Sequence, residues 1–272
     1  MITVVGTSGF IGSHLIDRLT AEGRDVHAAD RSSDVDSDAG AGTVIYCRGL
    51  TRSIRDSAAA SVESHVTDAV QLAQRCSHRF VYLSSLGVYR LTRPAKEGVP
   101  LTLDPDNELD FYSLCKLTAE AALRAVCPSA VALRLAKVFG DEPGGGHFLD
   151  RVATEAVVRG EVTFTSAPSS AKDFLHIDDL SSVILAVADA TEVGPTYNIG
   201  TGRNTSNEEI GLALATMTGC SVTTQEAAPE VVYPEMDCSR ARRDFDFKPT
   251  GLLERMPALV DRYRAVLLSR AP

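Results

Sequence analysis

Residues 1–12 read MITVVGTSGFIG, and this stretch decides the fold. Met1–Val5 is a short β-branched run of the kind that forms a buried parallel strand. Gly6, Gly9 and Gly12 then recur at every third position. After them, Ser13–Ala21 carries Leu15, Ile16 and Leu19 at helical spacing, and Gly23 closes it. A strand, a glycine turn and a helix in this order let backbone approach a pyrophosphate closely, on the helix N-terminus. The next strand, Val26–Asp30, ends in a carboxylate 18 residues beyond Gly12, near the spacing at which an acid takes a ribose diol. A plain strand-to-helix turn is the simpler alternative, and the added Asp30 favours a dinucleotide over it.

The candidate cofactor contacts are therefore Gly6, Ser8, Gly9, Phe10, Ile11 and Gly12 in the turn, with Asp30 and Arg31 after the second strand. Asp30 repels a 2′-phosphate, so NAD is expected; Arg31 beside it keeps NADP open.

Outward from this unit, strands are expected at Thr43–Cys47, Arg79–Leu83 and Ala130–Leu135, with helices at Val62–Cys76 and Tyr112–Val126. Arg31–Gly42 reads as loop. The alternation predicts an α/β fold, a doubly wound parallel Rossmann sheet. After Gly140 the pattern changes to a Pro/Gly loop, a helix at Phe148–Arg159 and a short strand at Val162–Thr165. An apolar helix returns at Val183–Ala190, and beyond Gly200 the segments are shorter and more polar. The expected division is a dinucleotide-binding domain over 1–140, to which 172–200 returns, and a smaller C-terminal substrate lobe from 141–171 and 201–272.

The 272 residues carry 27 Lys and Arg against 36 Asp and Glu, a net charge of −9. No basic block is present, which argues against a nucleic-acid partner. No apolar stretch is long enough to span a bilayer, and the N-terminus lacks the features of a signal peptide, so no membrane partner and a cytoplasmic protein are expected. The six cysteines form no CxxC pair and read as free, mostly buried thiols, and no metal site is expected from the six scattered histidines.

Tyr112-Ser-Leu-Cys-Lys116 opens a helix and puts Tyr112 and Lys116 on one face. A nearby ammonium favours the phenolate, which would bring the tyrosine pKa down. Upstream, Phe80-Val-Tyr-Leu-Ser84-Ser85 places hydroxyls at the carboxyl end of a strand, the edge where ligands bind in open α/β sheets. Ser85 there would hydrogen-bond a reacting oxygen while Tyr112 moves its proton. An exposed helical pair and a strand-end turn are the bland alternatives.

With these residues in place, the chain resembles the extended short-chain dehydrogenase/reductase family of the NAD-dependent epimerase/dehydratase type. The glycine turn, the Ser-Ser-x-x-Val-Tyr segment and Tyr112-x-x-x-Lys116 match in order. So do Arg134-Leu-Ala-Lys-Val-Phe-Gly140, Lys172-Asp-Phe-Leu-His-Ile-Asp-Asp179 and Tyr197-Asn-Ile-Gly200. The resemblance implies a catalytic triad of Ser85, Tyr112 and Lys116, with Tyr112 as acid/base and with Tyr112 and Lys116 also touching the cofactor. It further implies a nucleotide-diphospho-sugar substrate, 4-keto reduction or 4-epimerisation, and a homodimer packed through the helices near 62–76 and 112–127.

The chain also departs from that pattern. Only a loop fits between Asp30 and Thr43, so the sheet is expected to be one strand shorter. His65 and Lys137 stand where Asn is usual, Lys172 stands where Arg is usual, and Glu226–Asp237 contains no Arg. Lys137 and Lys172 would still give two point charges to a diphosphate. Leu86 and Gly87 follow Ser85 without a carboxylate, which argues against dehydration. His147 is a candidate second acid/base on the substrate, or a loop histidine in solvent. Two other readings stay open: a dehydrogenase or reductase of a non-nucleotide polyol or ketone, and a non-catalytic dinucleotide sensor.

Overall fold

The run ITVV becomes strand β1 (Ile2–Val5), buried at all four positions. The computed structural model describes residues 1–31, 42–50 and 57–269. After β1 come helix α1 (Phe10–Ala21), β2 (Val26–Ala29), β3 (Thr43–Tyr46), α2 (Ala58–Val62), a π-helical turn (Glu63–Thr67) and α3 (Asp68–Ala73). Next are β4 (Arg79–Ser85), a 3-10 turn (Leu86–Tyr89), α4 (Glu108–Val126), β5 (Ala130–Leu135) and β6 (Lys137–Phe139). The chain continues through α5 (Phe148–Thr154), a second π-helical turn (Glu155–Arg159), β7 (Glu161–Phe164), β8 (Ala171–His176) and α6 (Ile177–Asp189). It ends with β9 (Thr196–Ile199), β10 (Asn204–Ser206), α7 (Asn207–Thr218), β11 (Ser221–Thr224), α8 (Ser239–Phe245) and α9 (Leu252–Leu268). The stretch read as loop, Arg31–Gly42, lies outside the described residues except at its two ends.

Two compact units emerge. The first comprises Met1–Leu135, Ser181–Ile199 and Asp237–Phe247, and the second comprises Ala136–Leu180, Gly200–Met236 and Lys248–Pro272.

The first unit is built on a six-stranded sheet in the order β2-β1-β3-β4-β5-β9, parallel throughout. No strand lies among the described residues between Ala29 and Thr43. The chain leaves β1 for β2 on one side and returns to β3 on the other. That reversal opens a crevice at the carboxyl end of β1, where Gly6 sits. Tyr46, Phe80 and Tyr82 stack across β3 and β4 with centroids 6.0 and 6.1 Å apart. The two buried tyrosine hydroxyls need acceptors. The widened π turn supplies them: Tyr46 donates to Ser64 O at 2.6 Å and Tyr82 to His65 O at 2.9 Å.

Helix α4 starts earlier than expected. It begins at Glu108, so Tyr112 lies one turn inside it. The extra turn is supported by Asp110, which accepts from Arg90 at 2.6 Å and from Asp104 N at 2.8 Å. Glu108 and Asp110 also suit the positive end of the helix dipole.

In the second unit β8 pairs antiparallel with β10 and parallel with β6, and β7 pairs parallel with β11. Its polar-looking C-terminal sequence hides a 17-residue helix, α9. Leu252, Met256, Leu259, Val260 and Tyr263 form one buried stripe on it, while Glu254, Asp261 and Arg262 face water and half-buried Arg255 pairs with Asp179 at 3.1 Å. Helix α7 is held by a capping box, Ser206 with Glu209, and ends at a left-handed Gly219. Among the described residues no helix is long and apolar enough to cross a membrane.

Candidate active site

The glycine turn is shaped by close approach. Gly6 has φ +90°, and a Cβ on it would lie 2.7 Å from Arg48 N. A Cβ on Gly12 would run into Gly6 O, which is why α1 can pack against the turn at all. Gly9 caps α1 with no side-chain hydrogen bond, and the first turn of α1 holds no acid. The positive end of the α1 dipole, with no acid in its first turn and beside exposed Ser8, Gly9 and Phe10 and half-exposed Ile11, favours an anion. This cradle fits the pyrophosphate of NAD.

Asp30 is exposed and tied to the same turn. Its Oδ1 accepts from Thr7 Oγ1 at 2.9 Å and from Ser8 N at 2.8 Å. The Ser8 amide and the Thr7 hydroxyl hold its carboxyl below the usual range, with Arg31 adding to the effect, so it stays anionic. Motif spacing does not show the link from Thr7 to Asp30; the hydroxyl at the first turn position is its one sequence signal. Asp30→Ala is expected to narrow the preference for NADH over NADPH. Dissociation constants for both forms check this, and an unchanged ratio would move the discrimination to another residue.

Ser84 and Ser85 end β4. Ser84 Oγ donates to Glu120 at 2.6 Å, and Ser85 Oγ accepts from Gly87 N at 3.1 Å. Accepting that amide leaves the Ser85 hydroxyl proton available to a ligand. Along α4, Tyr112, Lys116 and Glu120 fall at i, i+4 and i+8. Buried Lys116 donates from Nζ to Leu83 O at 2.7 Å and stands 4.7 Å over the Tyr82 ring and 5.5 Å from the Tyr112 centroid.

The electrostatics correct the expectation for Tyr112. Desolvation pushes its hydroxyl up rather than down. Desolvation also pulls Lys116 down to about 7, against the opposing pull of Glu120, Cys47 and Cys115. Residue spacing conveys the ammonium but not the exclusion of water, and here exclusion wins.

His65 stands edge-on to Tyr112, centroids 5.1 Å apart, with Nε2 at 3.1 Å from Leu50 O. Burial and the charge of Lys116 pull it down to about 3, so it is a neutral wall. A Cβ on Gly49 would sit 2.9 Å from His65 Nδ1, so the bare backbone there makes room for the ring. The sequence marked His65 as a departure without revealing its contact with Tyr112.

In the second unit, Lys137 on β6, Lys172 and Phe174 on β8, and His147 and Phe148 at the start of α5 line one cavity of about 230 Å³. Lys172 Nζ lies 4.9 Å over the Phe148 ring and Lys137 Nζ 5.9 Å over the Tyr233 ring. Burial, then the charge of Lys137, pulls Lys172 down to about 8. The structure thus brings together three of the four candidate substrate contacts, Lys137, His147 and Lys172; the fourth, Ser85, belongs to the first unit.

His147 is not a loop histidine in solvent. It is half-buried and caps α5, its Nδ1 accepting from Asp150 N at 3.2 Å. Asp150 in turn accepts from Gly144 N, Gly146 N and the Tyr263 hydroxyl at 2.9, 2.6 and 2.9 Å, which fixes the loop before His147.

A parallel sheet whose switch point carries this glycine cradle, with an anchored acid after the second strand, defines a dinucleotide-binding α/β protein. Residues 2–200 match the NAD dependent epimerase/dehydratase family, and the chain belongs to that family of NAD-dependent enzymes. It is 25% identical to UDP-glucose 4-epimerase of Mycolicibacterium smegmatis, over 96% of this chain and 97% of that protein. It is 26% identical to ADP-L-glycero-D-manno-heptose-6-epimerase of Pseudomonas paraeruginosa, over 78% of this chain and 77% of that one. Among solved structures, MoeE5 in complex with UDP-glucose and NAD is 25% identical and superposes with a TM-score of 0.84, covering 98% of this chain and 99% of that chain. Family and Rossmann fold are those expected from the motifs.

Proposed function

We propose that the enzyme moves a hydride to and from a sugar carbon of a nucleotide-diphospho-sugar, as a 4-epimerase or 4-keto reductase. The observation that carries this is the pair Tyr112 and Lys116 on α4, tied by Lys116 to the Leu83 carbonyl of β4, the strand that ends at Ser85. Relatives named as a UDP-glucose 4-epimerase and a dTDP-4-dehydrorhamnose reductase support the substrate class.

NAD, held at the glycine cradle, supplies the hydride acceptor. Tyr112 takes the proton of the sugar hydroxyl as its carbon loses hydride, and returns it when a ketone is reduced. Ser85 donates its hydroxyl hydrogen to the reacting oxygen. Lys116, when protonated, lowers the cost of the Tyr112 phenolate. With no carboxylate at Leu86 or Gly87, nothing there serves to eliminate water.

Lys137 and Lys172 take the anionic part of the substrate, and His147 takes a polar group beside it. A diphosphate gains a charge-assisted contact of about 1.5–3 kcal/mol from each lysine. Lys137→Met and Lys172→Met should each raise KM about tenfold or more. The contact exists in ground and transition states alike, so kcat should hold. The effect should shrink at high salt. Steady-state kinetics at two ionic strengths check this; unchanged KM in both variants would transfer the assignment to a phosphate-free polyol or ketone. Turnover of NADH with 4-keto sugar nucleotides tests the reductase reading, and interconversion of nucleotide-sugar 4-epimers without net NADH turnover tests the epimerase reading; failure of both across a broad panel would leave a dinucleotide sensor. We also propose a cytoplasmic protein that forms a homodimer packed through the helices near 62–76 and 112–127, the π-helical turn with α3 and α4; light scattering would test the dimer by mass.

A further inference from the structure

The first unit holds a second cavity, of about 650 Å³, whose lining includes none of Ser85, Tyr112 and Lys116. Its wall combines apolar Leu117 and Pro195 with Arg124, Arg134 and Arg240. Two of these arginines converge on one residue. Arg124 Nη2 donates to Thr196 Oγ1 and Arg240 Nη1 donates to Thr196 O, each at 3.1 Å.

The acids in the same wall are already engaged. Glu97 Oε1 accepts from Asn198 N at 2.8 Å. Glu120 accepts from Ser84 at 2.6 Å, from Arg134 at 3.1 and 2.7 Å, and from Arg124 at 3.2 Å. A guanidinium carries five N–H donors, and the bonds to Thr196 and Glu120 leave Arg124 and Arg240 with several each. Arg240 is further fixed over the Tyr197 ring, 5.8 Å from its centroid. In a chain of net charge −9, a concave wall with three arginines against two occupied glutamates is a local reversal of sign, the condition that concentrates anions.

We propose that this cavity is a second ligand site, binding the oxyanion of a small metabolite between Arg124 and Arg240. The planar forks suit a phosphate or carboxylate, and Leu117 and Pro195 take the apolar body. The proposal is independent of the sugar assignment.

The test uses the full chain saturated with NAD, so that the glycine cradle is filled, and titrates inorganic phosphate at constant ionic strength. Calorimetry should give a saturable isotherm. At ten times its Kd, phosphate should raise Tm by about 3–6 °C. Arg124→Gln with Arg240→Gln should weaken binding at least tenfold, while Lys137→Met with Lys172→Met should leave it unchanged. Arg240→Gln alone, which disturbs only the Thr196 carbonyl and the Tyr197 ring, serves if the double variant does not fold. A parallel malonate titration separates phosphate from carboxylate by the tighter Kd. Absence of saturation, equal binding by the arginine variants, or loss in the lysine variant would overturn the site.

Discussion

Tyr112→Phe should leave NAD binding nearly unchanged and lower turnover by about 10²–10⁴-fold. The substitution removes one hydroxyl and keeps the ring, which packs edge-on against His65 and lies 5.5 Å from Lys116 Nζ. On the proposed reading most of the cofactor affinity comes from the glycine cradle and Asp30, which the change does not touch. What is lost is the phenolic group proposed to exchange the sugar proton; the other ring beside Lys116, Tyr82, has its hydroxyl committed to His65 O at 2.9 Å. Desolvation already pushes the Tyr112 hydroxyl up, so its proton transfer depends on the positive charge of Lys116. Stopped-flow NADH binding with steady-state turnover separates the two effects. Near wild-type kcat in the variant would assign the proton to another group.

The parts of this site that the sequence made legible are the local ones. Gly9 and Gly12 announce a strand-turn-helix because each answers to the nearby Gly6 carbonyl, whereas the bare backbone of Gly6 answers to Arg48, distant in sequence. Tyr112 and Lys116 share a face because helical spacing alone brings them together. The illegible parts depend on chain separation or burial. Thr7 meets Asp30 across 23 residues, and His65 meets Tyr112 through the packing of the π turn against α4. Helix α9 looked like short polar segments because its buried residues fill a single stripe, so its average composition conceals its amphipathic pattern.

Arg134 illustrates the same limit from the other side. Its motif was visible, yet its partner lies 14 residues away on a different element. Arg134 is 6% exposed and Glu120 1% exposed, with Nε at 3.1 Å from Oε1 and Nη2 at 2.7 Å from Oε2. Arg134 Nη1 also donates to the Tyr89 hydroxyl at 2.7 Å, and that hydroxyl donates to Asn198 Oδ1 at 2.8 Å. A chain of hydrogen bonds, charge-assisted from Glu120 through Arg134 to Tyr89 and neutral from Tyr89 to Asn198, thus ties α4, β5, the 3-10 turn and β9 together. Neither charge is exposed enough for water to replace the other.

Glu120→Met should therefore destabilise the protein by about 3–5 kcal/mol, because it strands a buried guanidinium rather than merely deleting a contact. The corresponding fall in Tm is on the order of 10 °C. Replacing both partners by Met removes the stranded charge, since a buried ion pair exchanged for well-packed apolar groups is often close to neutral. The double variant should accordingly be more stable than Glu120→Met alone, although Ser84 and Tyr89 each lose a partner in it. Thermal unfolding of the two single variants and the double forms a complete cycle. Additive losses in that cycle would mean that the pair is not coupled, and that the stability of this wall comes from apolar packing around it.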